Sequence, residues 1–219
     1  MSNNPADTAK DSITGVAGWE TPAEQQVLKL FAEQVEAYGS IVEIGSEFGM
    51  STSILAKFSD PSVHVSAVDP FPNDTFAQHS RNMARIGVLD RIVYFKMLSE
   101  AAAKQYLQND GQLIDVLFID GDHSTDAVLI DILMWLPMVE VGGVVIFHDT
   151  MAPTNMRPHE QHEWVEKAIN IWRSGDVLAN SKIAATISNS SVILRSVDPR
   201  KFRECPPVDS MRIFVRFKE

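Results

Sequence analysis

Cysteine is nearly absent. Cys205 stands alone among 219 residues, so no disulfide forms within the chain, and a reducing cytoplasm is the expected compartment. Basic residues are scarce too: 19 Lys and Arg face 29 Asp and Glu, a formal net charge of −10. General affinity for nucleic acid or an anionic membrane depends on clustered Lys and Arg, so neither is an expected partner. No apolar run approaches the roughly 18 residues that span a bilayer. The opening MSNNPADTAKDS lacks the basic-then-apolar pattern of a signal peptide. There is no internal repeat, no linker long enough to divide the chain, and no Gly-Lys-Ser/Thr, which excludes a P-loop nucleotide hydrolase. What remains is the composition of a soluble globular protein with the length for one full core. The expected layout is a loose polar segment over 1–17 and a single domain over 18–219.

Thr21-Pro22-Ala23-Glu24 reads as a capping box with proline at the first helical position. Val27, Leu28, Leu30, Phe31 and Val35 follow at helical spacing, which predicts a helix over 22–37. Strands and helices then alternate. Strands are expected at 41–44, 64–68, 92–96, 113–119 and 144–147, and helices at 51–58, 74–86, 99–107, 124–138 and 161–173. Strands that are apolar on both faces, alternating with helices, predict an α/β fold: a parallel sheet wrapped on two sides. Lys182–Ile187 and Ser191–Leu194, joined by a short polar link, predict an antiparallel hairpin at the sheet edge. Met211–Phe217 is a further candidate strand.

The segment Val42-Glu43-Ile44-Gly45-Ser46-Glu47-Phe48-Gly49-Met50-Ser51 is a strand, a glycine turn and a helix start. Gly45 permits a sharp turn, Gly49 is expected to admit a ligand close to the backbone, and the following amides face what binds. Its G-x-x-x-G spacing lacks the third glycine of the dinucleotide fingerprint, which counts against a nicotinamide oxidoreductase. A plain strand-to-helix turn is an equal reading of the loop alone. Asp69, ending the second strand, adds the acid that a ribose diol requires.

These residues resemble the first motif of class I S-adenosyl-L-methionine (SAM) dependent methyltransferases, in the E-x-G-x-x-x-G form of the catechol O-methyltransferase-like branch. Further on come Phe118-Ile119-Asp120-Gly121-Asp122-His123-Ser124, Asp131, Trp135, Pro137, Gly142-Gly143 and His148-Asp149. With these, the chain resembles the bacterial small-molecule O-methyltransferases grouped with the macrocin and cephalosporin-biosynthesis enzymes, over about residues 18–196. The resemblance implies a Rossmann-like, doubly wound, mostly parallel sheet of seven strands with a reversed strand at its C-terminal edge. It also implies a small-molecule hydroxyl acceptor and homo-oligomers built through the N-terminal helix and C-terminal edge. On this resemblance Glu43, Gly45, Glu47, Gly49, Ser51, Asp69, Ser99 and Asp120 are the expected SAM contacts. Ser51 falls near the carboxylate, Asp69 on the ribose and Ser99 near adenine, while Glu100 is either an adenine neighbour or a first-turn helix acid.

Asp120, Asp122 and His123 end the fourth strand, and His148 and Asp149 the fifth, so all five are expected on one rim. Carboxylates with an imidazole suit Mg²⁺, Mn²⁺ or Ca²⁺ better than a thiolate-seeking metal. The resemblance maps a divalent cation to Asp120 and Asp149, with His148 standing where relatives carry a carboxylate. The expected set is therefore Asp120, His148 and Asp149 for the metal and His123 as base, with Asp120 or a histidine as the metal-free alternative. Asp122 or Ser124 is expected to cap the next helix. His159–Glu163 is expected to be a solvated lead-in, although its histidines also fit a substrate lid. The rival to an enzyme is a SAM- or nucleoside-binding protein without catalysis.

Overall fold

The computed structural model describes residues 12–109, 111–151, 160–175 and 198–217. Helix α1 (Pro22–Gln34) starts on the expected capping box: Thr21 accepts from the Glu24 amide while the Glu24 carboxylate takes the Thr21 amide. Then follow β1 (Ser40–Ile44), α2 (Met50–Phe58), β2 (His64–Val68), α3 (Thr75–Ile86), β3 (Ile92–Phe95), α4 (Ser99–Gln108) and β4 (Ile114–Ile119). The chain continues through α5 (Thr125–Trp135), β5 (Val139–Phe147), α6 (Glu160–Ser174), β6 (Phe202–Glu204) and β7 (Arg212–Arg216).

The seven strands form one sheet in the order β3-β2-β1-β4-β5-β7-β6. All neighbours are parallel except that β7 runs against both β5 and β6, so β7 alone is reversed. Helices α1, α2 and α3 cover one face through residues such as Leu28, Ile54 and Met83. Helices α4, α5 and α6 cover the other through Ala102, Leu129 and Trp172. This is the doubly wound fold expected from the alternation. The order reverses between β1 and β4, and the crevice beyond their C-terminal ends is where such sheets bind ligands.

Several boundaries shift for local reasons. The helix expected over 124–138 ends at Trp135, and Pro137 turns Leu136–Met138 into a 3₁₀ turn because proline supplies no amide to an α-helix. Strand β5 begins at Val139, before the glycine pair, with Gly142 at φ 96° and a break in the β4 pairing between Ile114 and Val116. The glycines form an irregularity inside the strand, not a turn ahead of it. The hairpin expected at 182–194 lies outside the described residues. Among those described, the antiparallel edge is made by β7, on the candidate strand Met211–Phe217, and by the three-residue β6, which alone the sequence pattern did not announce. Residues 12–17, expected to precede the domain, lie against it: Val16 is 2% exposed and the Ile13 amide donates to Gln25 Oε1.

Candidate active site

Gly45 turns the chain at the end of β1 with φ 85°, and a Cβ there would lie 2.1 Å from the Asp120 carbonyl oxygen. Only glycine lets the ends of β1 and β4 approach this closely. Gly49, at φ 90°, caps α2, and its Cβ would meet Met83 and His79 at 2.7 and 2.9 Å. The packing of α3 thus requires glycine here as well, while Gly49 also lines the larger cavity. Asp69 also faces the loop: one carboxylate oxygen accepts the Ser46 and Glu47 amides, both at 3.0 Å, and the other takes the Phe71 amide at 2.5 Å. Glu43 is fully buried, accepting the Ser46 hydroxyl at 2.8 Å and the Thr52 hydroxyl with the same oxygen. Burial outweighs these bonds and pushes its carboxyl up to about 8. Thr52 continues to His79 Nε2 and His79 Nδ1 to the Tyr94 hydroxyl, each at 3.0 Å, a polar thread that stiffens the loop from beneath.

Two cavities open above the crevice and share Gly45 and Gly121. One, of about 400 Å³, has apolar walls from Ile44, Val68, Pro70, Met97 and Ile130, with Ser99 and Asp131 at its polar end. Ser99 donates to Asp131 and accepts from Trp135 Nε1 at 2.8 Å, so it reaches the pocket as a fixed strut. Burial pushes the Asp131 carboxyl up to about 7 despite that bond. Glu100 pairs with Lys104 at 2.6 Å, one helical turn on. The other cavity, of about 490 Å³, runs from Gly45–Ser51 to Asp120, His123, His148 and Asp149 and is roofed by Gly18, Trp19 and Glu20. Each lies within the roughly 300–1,000 Å³ usual for small-molecule sites. An apolar pocket thus adjoins an acidic chamber at the glycine turn.

The rim residues converge, but in a different grouping from the one expected. His123 Nε2 lies 3.4 Å from Asp120 Oδ1 and 3.1 Å from Asp149 Oδ2. Asp120, His123 and Asp149 each offer a ligand atom, and these lie within 4.8 Å of one another. His148 borders this trio, with Nδ1 3.7 Å from Asp149 Oδ1, and reaches back from it toward α1. Its Nδ1 is 3.0 Å from Asp120 Oδ1, and its Nε2 is 3.4 Å from Glu24 Oε2. With a carboxylate at each nitrogen, burial loses to the Asp120 charge and the His148 pKa rises well above its ordinary value. Burial likewise opposes charge on His123, yet Asp120 and Asp149 push it up to about 10. Asp149 sits at φ 52°, a left-handed conformation that a non-glycine residue adopts at a cost, and that strain aims it into the rim. Asp122 accepts the Ser124 amide at 2.8 Å, and Ser124 caps α5, so both take part in the turn.

Three residues take places at the rim that the sequence reading did not assign to them. Glu24 does more than cap α1: Ser210 donates to it through amide and hydroxyl, and it lies behind His148. His162, from the tract expected to be solvated, is 6% exposed with Nε2 at 3.4 Å from Asp149 Oδ1. Glu20 lines the cavity, and burial followed by the charge of Asp120 pushes its carboxyl up to about 7. Glu24 had a local signal in its capping box and His162 in its histidine tract, while Glu20 had none.

A family described as a methyltransferase domain matches residues 42–150, which contain the glycine loop and the whole rim through Asp149. No curated protein matches. Among solved structures, the O-methyltransferase of Bacillus cereus in complex with S-adenosylhomocysteine (SAH) is 17% identical with a TM-score of 0.64, covering 96% of this chain and 90% of that one. The O-methyltransferase TomG of Streptomyces achromogenes, involved in tomaymycin synthesis and solved with SAM, is 14% identical with a TM-score of 0.60, covering 100% and 91%. An SAH-bound methyltransferase of Podospora anserina is 14% identical with a TM-score of 0.62, covering 100% and 89%. At such identities the likeness to these structures is one of fold.

Proposed function

We propose that this chain, whose residues 42–150 match a methyltransferase domain, is a class I SAM-dependent methyltransferase that transfers the methyl group to a hydroxyl of a small molecule. The observation that carries this reading is the junction at Gly45 and Gly121, where the apolar pocket meets the acidic chamber bearing Asp120, His123 and Asp149. SAM, when bound, supplies an activated methyl on a sulfonium, and a divalent cation would stabilise the developing alkoxide of the acceptor. The protein's own task is to align the acceptor oxygen, exclude water and manage one proton.

Asp120, His123 and Asp149 are the residues that would hold such a cation, since two carboxylates and an imidazole at this spacing suit Mg²⁺ or Mn²⁺. This assignment takes His123 in place of His148, because the ligand atoms of Asp120, His123 and Asp149 cluster within 4.8 Å of one another, while the second nitrogen of His148 is engaged by Glu24. A metal-free reading is favoured by one observation: His123 already neutralises Asp120 and Asp149 at ion-pair distance. In that form His123 carries its proton and has no lone pair for a hydroxyl, which leaves a rim carboxylate to accept the hydrogen bond. A small acceptor is supported over nucleic acid by the net charge of −10 and by a cavity without lysine or arginine among its described lining residues. Among the described residues no helix is long and apolar enough to cross a membrane.

Titration calorimetry with SAM, SAH and NAD tests the cofactor, and NAD binding without SAM binding would refute the reading. Transfer of labelled methyl from SAM to a panel of hydroxylated small molecules tests the reaction. Running the panel with Mg²⁺, Mn²⁺ or EDTA separates the metal-assisted from the metal-free form. A protein that binds SAM and methylates nothing across a broad panel would instead be a sensor.

A further inference from the structure

The sheet has a second opening at the N-terminal ends of its strands, away from the crevice. Ser40 opens β1 and His64 opens β2, and the two are paired across the strands. Side chains two residues apart on a strand share a face, so Ser40, His64 and Ser66 lie on the side that Val42, Ile44 and Val68 continue as core. Beside them, under the C-terminal end of α4, is a cavity of about 240 Å³ walled by Val93, Phe95 and Tyr106. It shares no lining residue with the two cavities of the crevice.

Ser66 is 6% exposed and lines this cavity, and none of the described residues hydrogen-bonds its hydroxyl. A buried hydroxyl without a partner costs stability, and the remaining residues of β2 from Val65 to Val68 are valine and alanine. The walls around it are fixed. The Tyr106 hydroxyl donates to the Gln112 carbonyl and accepts from Ser40, each at 2.9 Å. A Cβ on Gly111 would lie 2.3 Å from the Tyr106 ring, so only glycine lets the chain after α4 close on that ring. Phe95 and Tyr106 stand 6.2 Å apart at 52°.

Two aromatic rings and a valine favour a flat partner. No Lys, Arg, Asp or Glu is among the described lining residues, which favours an uncharged one. The Ser66 hydroxyl and the His64 imidazole call for hydrogen-bonding atoms on that partner. Roughly 150 Å³ is enough for benzene, so this cavity has the size for one or two fused rings. We propose that it is a second ligand site, which takes an uncharged planar nitrogen heterocycle and pairs the Ser66 hydroxyl with a ring nitrogen. This site does not depend on the methyl-transfer reading, and its occupant would not compete with a ligand in the crevice.

Titration of the ¹⁵N-labelled full chain with benzimidazole, followed through its amide NMR shifts, tests the site. Wild type should bind with a Kd on the order of 1 mM or tighter, with the shifts centred on Ser66, Val93 and Tyr106. Ser66→Ala removes only the hydroxyl and should weaken binding about 3- to 10-fold. Its Tm should stay within about 2 °C of wild type or rise, because no partner is lost. Shifts confined to the Gly45 loop, or no shifts up to about 10 mM, overturn the proposal on wild type alone. So does a Ser66→Ala protein that binds as tightly as wild type, since the hydroxyl is then no contact. A variant that melts well below wild type overturns it too, by showing that the hydroxyl already has a partner in the fold.

Discussion

Asp69→Ala separates two roles that a single acid at the end of β2 can play. In the structure its carboxylate accepts three backbone amides, from Ser46, Glu47 and Phe71, and the residue is 9% exposed. Alanine leaves all three donors without an acceptor in a region with little water. Each buried donor left unsatisfied costs about 1–3 kcal/mol. Two of the three share one oxygen and the loop has room to relax, so the sum should come to about 2–4 kcal/mol rather than three full penalties. For a chain of this size each kcal/mol lowers the Tm by about 2–4 °C, so the variant should melt roughly 5–15 °C below wild type. SAM affinity should fall as well, because the same carboxylate shapes the turn over which the nucleoside lies. The assay is a thermal melt by circular dichroism without ligand, paired with SAH titration at a temperature where both proteins are folded. A variant with the wild-type Tm and weakened SAH binding would refute the clamp and leave Asp69 as a ribose contact alone. A variant altered in neither would refute both roles.

Gly45→Ala drives a Cβ to 2.1 Å from the Asp120 carbonyl at a φ of 85°, so it should cost about 3 kcal/mol or more, read as a loss of Tm or of soluble protein. Glu43 holds its proton up to about 8 when folded, against 4.5 as the ordinary value, so its contribution to stability is complete below about 4.5 and is lost as pH rises through about 8. Denaturant melts should therefore show Glu43→Gln gaining on wild type across that interval, and parallel pH profiles would contradict it. His123, raised from 6.5 to about 10, contributes stability that is complete below about 6.5 and is lost as pH rises through about 10. In the metal-free protein His123→Gln should be the less stable at pH 7 and should approach wild type toward pH 10. By the same linkage Mg²⁺ or Mn²⁺ bound at Asp120, His123 and Asp149 must displace that proton, so calorimetric affinity for the metal should rise with pH. A pH-independent affinity would place the ion elsewhere.

Much of the fold was legible because its signals are local. The capping box before α1, the apolar strand runs and the glycine turn at 45–49 each act within about ten residues. The strand-end acids and histidines were legible for the same reason, since a parallel sheet brings the C-terminal ends of adjacent strands to one edge whatever lies between them. Boundaries failed where a longer-range effect entered. The β5 start moved because the pairing with β4 extends past the glycines, and β6 is held by three residues of pairing with β7, too few to leave a pattern. Gly49 lines the cavity as expected, but the sequence cannot show that α3 also packs its Met83 and His79 against it.

The alternation of periods by itself determined that this chain makes a parallel sheet wrapped by helices, and the acids and histidines at predicted strand ends determined that it carries an acidic rim; the doubly wound order was what the family resemblance implied. Both imidazoles face Asp120 and Asp149, and which of them also reaches back to another carboxylate is seen only in three dimensions. His123 and His148 both sit at strand ends, but Glu24 lies behind one of them, and α1 comes from more than a hundred residues away to put it there. The same closure brings Glu20 over the start of α2 and His162 against Asp149. Periodicity tells which face a side chain leaves from. The direction in which a charged group then turns is set by the other charges within a few ångströms, and in a low-dielectric interior those come from whichever segments the packing has brought near.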